Sequence, residues 1–193
     1  MFIAGLPLGQ SQIEYSKTKI NIYAAVRRVG ALLLLVQWLH YRHRGHIIFV
    51  GGGNTKSMLA VWKDWGLDVI LKNAYDRGVV MSGVSAGAIC WFEQGLTDSW
   101  ADELKIMPCM NLIPGSCAPH YDEEPERRPA TKKLLERKVI ESMYGIEGGA
   151  ALHFIDEIPE YSVRFSNNKN AYLVTLQNDQ INESPYPLRE LSS

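Results

Sequence analysis

Cysteine is scarce in this chain. Only Cys90, Cys109 and Cys117 occur among 193 residues, and so small and odd a set builds no disulfide framework and suits a reducing compartment. An excess of one charge is also lacking, since 20 basic side chains stand against 21 acidic ones for a net charge of −1. That balance leaves no electrostatic footprint for nucleic acid or for an anionic membrane surface. Long hydrophobic runs are missing too. The most apolar stretch, residues 31–36, falls far short of the roughly 20 residues that span a bilayer. The opening residues 1–7 have neither a basic n-region nor a continuous apolar h-region, so no export signal is expected and the cytoplasm is the expected location. No internal repeat or low-complexity linker interrupts the chain.

What is present is ordinary for a globular protein: 46% hydrophobic and 21% charged residues. The length suits one α/β domain over residues 1–193, with 1–46 atypical. Residues 11–29 read as a mostly polar helix, apolar from Ile22 to Val26, and 30–45 fit neither a helical stripe nor a strand alternation. From residue 47 onward the pattern is regular. Ile47-Ile48-Phe49-Val50 is a glycine-bounded apolar run, as in a buried parallel strand. Gly51-Gly52-Gly53-Asn54 then turns, and Thr55 can cap a helix carrying Met58, Leu59, Val61 and Trp62 that stops near Gly66. A second helix is predicted over 67–77 with Gly78 as its C-cap, then a strand over 79–81. A helix over 86–92, short strands and loops over 93–122 and a helix over 131–143 follow. Strands at 150–155, 161–165 and 171–176 complete the reading. Alternating strands and helices predict an α/β fold, a mainly parallel sheet in three layers with helices on both faces.

The chemistry centres on Gly83-Val84-Ser85-Ala86-Gly87, which follows one predicted strand and opens a helix. So tight a reversal strains the serine backbone, and small neighbours let the chain bend without clashes. The Ser85 hydroxyl would stand exposed at a strand's carboxyl end beside helix N–H groups, with the Ala86 amide as an oxyanion donor. The competing reading is a glycine-rich turn that only packs a helix onto the sheet. A serine nucleophile needs a base. Of the five histidines, His120 lies 35 residues after Ser85, behind Pro119 and a strand end. His153 reads as structural within its strand. His40, His43 and His46 read as a solvated basic patch rather than a zinc cluster, and no metal is expected. The acid that orients His120 is expected at Asp98, with Asp102, Glu103, Asp122 and Glu147 as alternatives that spacing does not separate.

Gly51-Gly52-Gly53-Asn54 supplies a second turn at a strand's carboxyl end, where ligand crevices of open α/β sheets lie. Amides of Gly52 and Gly53 could complete the oxyanion hole, with Asn54 orienting substrate. A phosphate loop is the alternative, but neither Gly-Lys-Ser/Thr nor Gly-x-Gly-x-x-Gly is present, and Lys56-Ser57 is the nearest approach.

Four segments in order, 47–55, 83–88, 114–122 and 149–154, resemble the peptidase E (α-aspartyl dipeptidase) family of serine peptidases, which is related to cyanophycinases. The resemblance implies a class I glutamine amidotransferase-like fold with serine as nucleophile, a Ser85–His120–acid triad matched at Asp98 or, in reserve, Glu147, and no cofactor. It also implies hydrolysis of short peptides, typically dipeptides with an N-terminal aspartate. Residues 1–46 depart from the family's opening of strand, glycine-rich turn and strand. An aspartyl substrate calls for a cation, and Arg127 and Arg128 are the candidates, although a solvated helix start is the plainer reading of that pair. A short peptide is the expected partner, with a homodimer left open. One alternative is a non-catalytic relic binding a small ligand or a protein. Another is an α/β-hydrolase esterase, whose histidine normally follows its serine at a much greater distance.

Overall fold

The computed structural model describes residues 2–4, 36–41, 45–100, 103–165 and 168–189. The polar helix predicted over 11–29 therefore lies outside the described residues. Phe2–Ala4 forms β1, Val36–Tyr41 β2 and Gly45–Val50 β3. Strand β2 runs antiparallel to β3, Val36 opposite Val50, so part of the stretch that showed no periodicity is an edge strand.

Helices α1 (Thr55–Asp64) and α2 (Leu67–Asp76) follow. The cap of α1 is Asn54 rather than Thr55, its side-chain oxygen accepting from the Ser57 amide at 2.9 Å. Helix α2 ends in a Schellman motif around Gly78, the Val79 amide reaching back to the Ala74 carbonyl at 3.1 Å. Strand β4 (Val80–Val84) leads into α3 (Ala86–Ile89), which is shorter than predicted because β5 (Phe92–Thr97) begins within three residues. Strands β6 (Lys105–Pro108) and β7 (Ile113–Ala118) come next. Helix α4 (Arg127–Glu136) starts and stops earlier than the predicted 131–143. A second Schellman motif stops it: Lys138 takes φ 55°, and the amides of Lys138 and Val139 bond the carbonyls of Leu135 and Leu134 at 2.9 Å each. The apolar letters beyond feed β8 (Ser142–Ile146). Strands β9 (Ala150–Ile155), β10 (Ile158–Arg164), β11 (Ala171–Gln177) and β12 (Gln180–Pro185) close the chain. They form two hairpins whose two-residue turns, Asp156-Glu157 and Asn178-Asp179, have positive φ at both positions, matching strand twist.

The strands make two six-stranded sheets, ordered β10-β9-β1-β4-β3-β2 and β12-β11-β8-β7-β5-β6. Parallel pairing holds the centre of each, β1–β4–β3 in the first and β5–β7–β8 in the second, and antiparallel strands flank it. The α/β class is as the alternation indicates. Met58, Trp62 and Leu71 of α1 and α2 cluster with Ile48, Val50 and Met81 of the first sheet. Leu135 of α4 clusters with Leu96, Ala118, Met143 and Val174 of the second. Between the sheets, Phe92, Ile113, Cys117 and Ile146 pack with Leu152 and Phe154 of β9. Among the described residues no helix is long and apolar enough to cross a membrane.

Candidate active site

Ser85 sits between β4 and α3 with φ 55° and ψ −119°, a conformation that costs a non-glycine residue strain. Its neighbours show why the turn is built of glycine. A Cβ on Gly87 would stand 2.1 Å from the Val50 carbonyl oxygen, and one on Gly83 2.1 Å from the Gly87 oxygen. The elbow is thus pressed against the end of β3 so closely that only bare backbone fits. Ser85 is half-buried, and its hydroxyl does not cap α3. Ala86 and Gly87 begin that helix ahead of its first intrahelical donor, the Ala88 amide, so their own amides have no intrahelical acceptor. Gly52 lies directly against the serine, a Cβ built there falling 3.2 Å from Ser85 Cβ and 3.7 Å from its Oγ. The structure therefore brings Gly52 and Ala86 together around Ser85. Asn54 is engaged otherwise: its Oδ1 caps α1 and its Nδ2 donates to the Ser99 carbonyl at 3.1 Å.

His120 follows β7 with φ 52° and is buried. Its Nδ1 lies 2.7 Å from Glu123 Oε2, a carboxylate whose side chain is 19% exposed. The backbone carbonyl of His120 accepts from the amides of Glu123 and Glu124, at 3.2 and 3.1 Å, so the loop turns the carboxylate back onto its own histidine. Glu123 also lies against Gly148, where any Cβ would meet its carboxyl carbon at 2.1 Å.

Among the described residues, none of the acids expected from sequence bonds the His120 ring. Asp98 is exposed beyond β5 and lines a depression with Glu103, Lys105, Glu124 and Glu126. Asp102 is outside the described residues, and exposed Glu103 pairs with Lys105 at 2.9 Å. Asp122 accepts from the Gly148 amide at 2.7 Å and pairs with Lys169. Burial alone would raise the Asp122 carboxyl, but Lys169 and the backbone amides of Gly148 and Asp122 together hold it below its ordinary value. Buried Glu147 accepts from the Asn170 amide at 3.0 Å and from Arg128 at 3.3 Å. Only spatial proximity singles out Glu123. The one trace of it in sequence is a carboxylate three residues after the histidine.

Of the two arginines only Arg127 departs from a solvated helix start, since Arg128 is exposed. Arg127 is buried, its guanidinium donating to the Leu96 carbonyl and forking onto Glu124 at 2.8 Å. Arg128 lies over the Tyr121 ring at 4.6 Å and pairs with Glu147 and Glu183 at 3.3 and 3.4 Å. Both charges are already matched. His153 is partly buried on β9 with its ring 4.6 Å from that of Tyr161. His40 and His46 stand opposite each other in the β2–β3 register, and His43 is outside the described residues. No thiol rivals the serine. All three cysteines are free, burial pushes Cys90 and Cys117 well up, and burial takes Cys109 to about 12.

A series of contacts leads from the Ser85 turn of the first sheet to the His120 loop of the second. Gly52 touches Ser85, and Asn54 and Thr55 reach the Thr97–Ser99 segment after β5. Arg127 ties Leu96 at the end of β5 to Glu124, whose amide bonds the His120 carbonyl. Serine and histidine each follow the carboxyl end of a central parallel strand, Ser85 after β4 of the first sheet and His120 after β7 of the second.

Residues 39–160 match the model of peptidase family S51. The chain is 46% identical over 145 residues to the uncharacterized peptidase YgaJ of Bacillus subtilis (strain 168), covering 75% of this chain and 63% of that protein. It is 26% identical over 132 residues to the uncharacterized peptidase Lin0382 of Listeria innocua serovar 6a (strain ATCC BAA-680 / CLIP 11262), covering 65% of this chain and 62% of that protein. The chain thus spans less than two thirds of the length of each of these relatives.

Proposed function

The chain belongs to peptidase family S51, and from that membership we propose that it is a serine peptidase hydrolysing short peptides, with Ser85 as nucleophile and His120 as base. The observation that carries the reading is the strained elbow: φ 55° at Ser85, held by Gly83 and Gly87 against β3 at the opening of α3. With Glu123 on Nδ1 of His120, Nε2 is the nitrogen left to take the serine proton. Ser85 Oγ then bonds the scissile carbonyl carbon, and the negative oxygen is held by the Ala86 amide and one from Gly52 or Gly53. As the tetrahedral species collapses, His120 returns the proton to the departing amine. Water next attacks the acyl-enzyme by the same route and frees the acid.

The acid of this triad is assigned to Glu123 in place of Asp98, because Glu123 lies 2.7 Å from the buried imidazole and Asp98 is exposed with no bond to it. Dipeptides with an N-terminal aspartate are the first substrates to try, although the pairing of Arg127 and Arg128 gives their side chain no ready cation. A cytoplasmic site of action belongs to the same proposal and is supported by three free cysteines. The test is hydrolysis of Asp-Leu and Ala-Leu by the protein and by Ser85→Ala. Turnover that depends on Ser85 supports the peptidase. Equal rates from both proteins rule out Ser85, and no turnover by either favours a binding relic of the fold.

A further inference from the structure

We propose that Thr97 and Ser99, on either side of Asp98, are positioning residues that clamp the glycine loop serving as the oxyanion site. This rests on the serine-peptidase reading. The loop Gly51–Gly53 has no side chains of its own to fix it. Gly53 takes φ 152° with no atom within 4 Å of where a Cβ would stand, and Gly52 and Gly53 are exposed. Such a run has the greatest backbone freedom a chain offers, so its place beside Ser85 must be set from its two ends. The first end is the β3 terminus, with Val50 paired to Gly83 and wedged against Gly87.

The second end is Asn54–Lys56, and it is held by the segment after β5. The Asn54 Nδ2 donates to the Ser99 carbonyl at 3.1 Å, and the Lys56 amide donates to Ser99 Oγ at 3.3 Å. Ser99 is itself fixed by Thr97, with hydroxyl to hydroxyl at 2.8 Å and the Ser99 amide on Thr97 Oγ1 at 3.2 Å. Buried Thr97 lies 3.5 Å from the buried Thr55 hydroxyl, and Lys56 Nζ stands over the Trp100 ring at 5.1 Å. Every one of these bonds crosses between the two loops or braces one that does. On this reading Thr97-Asp98-Ser99 matters through its hydroxyls, which hold Gly52 where a developing oxyanion needs a donor. A donor misplaced by about 1 Å can cost on the order of 10²-fold in rate.

Three variants separate this clamp from a bland structural role. Ser99→Ala removes the hydroxyl, Ser99→Thr restores it, and Asn54→Asp keeps the α1 cap while removing the donor to Ser99. Expected is a fall in kcat of about 10- to 100-fold for Ser99→Ala and Asn54→Asp with KM little changed, and recovery in Ser99→Thr. A rise in KM instead would mark Asn54 as a substrate contact and overturn the clamp. A second measurement needs no catalysis: amide hydrogen exchange of Gly52–Lys56 should quicken at least about tenfold in Ser99→Ala while β4 and β7 keep their protection. Unchanged exchange overturns the clamp even if the protein hydrolyses peptides. Quickened exchange in a protein that hydrolyses nothing upholds the clamp and overturns the peptidase reading.

Discussion

Glu123→Gln is the sharpest probe of the His120 pair. The substitution preserves shape and hydrogen-bonding capacity but removes the negative charge 2.7 Å from Nδ1. A hydrogen bond to a charged group contributes about 1.5–3 kcal/mol, and about 1.4 kcal/mol is tenfold in rate, so losing the charge costs about 10- to 150-fold in kcat. With Glu123 19% exposed, solvent screening favours the lower part of that range. A glutamine that presents its NH2 to Nδ1 would also impose the wrong tautomer, and that error alone has cost on the order of 10⁴-fold in a Ser-His-Asp triad. The expected loss in kcat therefore runs from about tenfold upward, toward that tautomer limit. Asp98→Asn, at an exposed position, should change kcat/KM by less than about threefold. The assay is kcat and kcat/KM on one cleaved dipeptide, for both variants, across the pH range in which the wild type is active. A tenfold loss in Asp98→Asn beside an unaffected Glu123→Gln would refute the assignment.

Other perturbations follow from the same geometry. Gly87→Ala drives a methyl to 2.1 Å from the Val50 oxygen, and destabilisation of about 3 kcal/mol, with loss of activity, is expected from urea unfolding. Lys138→Gly relieves an exposed non-glycine residue at φ 55° that closes α4, and should stabilise by about 1 kcal/mol with unchanged turnover, read as a raised Tm. The Asp122 carboxyl is held down in the folded state, so its contribution is present above its unfolded value and is lost as pH falls through the lowered one. The Asp122 hydrogen bond holds Lys169 up, so its contribution is present below the unfolded lysine value and fades as pH rises through the raised one. Asp122→Asn should therefore unfold at lower urea than wild type near neutrality, and the gap should close in acid.

The elbow was legible because its glycines are demanded by backbone contact, and such a demand leaves the same residue types in the same order. The Gly83-x-Ser85-x-Gly87 spacing needs only β3 and β4 side by side, which two apolar runs already imply. The carboxylate bonded to His120 was not legible. Many carboxylates lie near His120 in the sequence, and what sets Glu123 apart from Asp98 is a left-handed φ at His120 that no periodicity records. Helix α4 was misplaced for a related reason: Val139, Ile140 and Met143 continue a helical stripe, but Lys138 turns the chain and sends Met143 into a strand. Strand β12 escaped because Gln180–Pro185 is polar and lies at a sheet edge, where burial imprints little on sequence. Nothing in the sequence singles out Ser99, because its partners, Asn54 and Lys56, lie more than 40 residues away.

Labelling of the folded protein with a serine-directed fluorophosphonate, mapped by mass spectrometry, asks most directly whether the elbow carries an activated hydroxyl. One adduct is expected, on Ser85, abolished by Ser85→Ala and by prior unfolding in urea, and slowed in His120→Ala. An adduct on another residue, or none on a folded protein with intact Ser85, would contradict it.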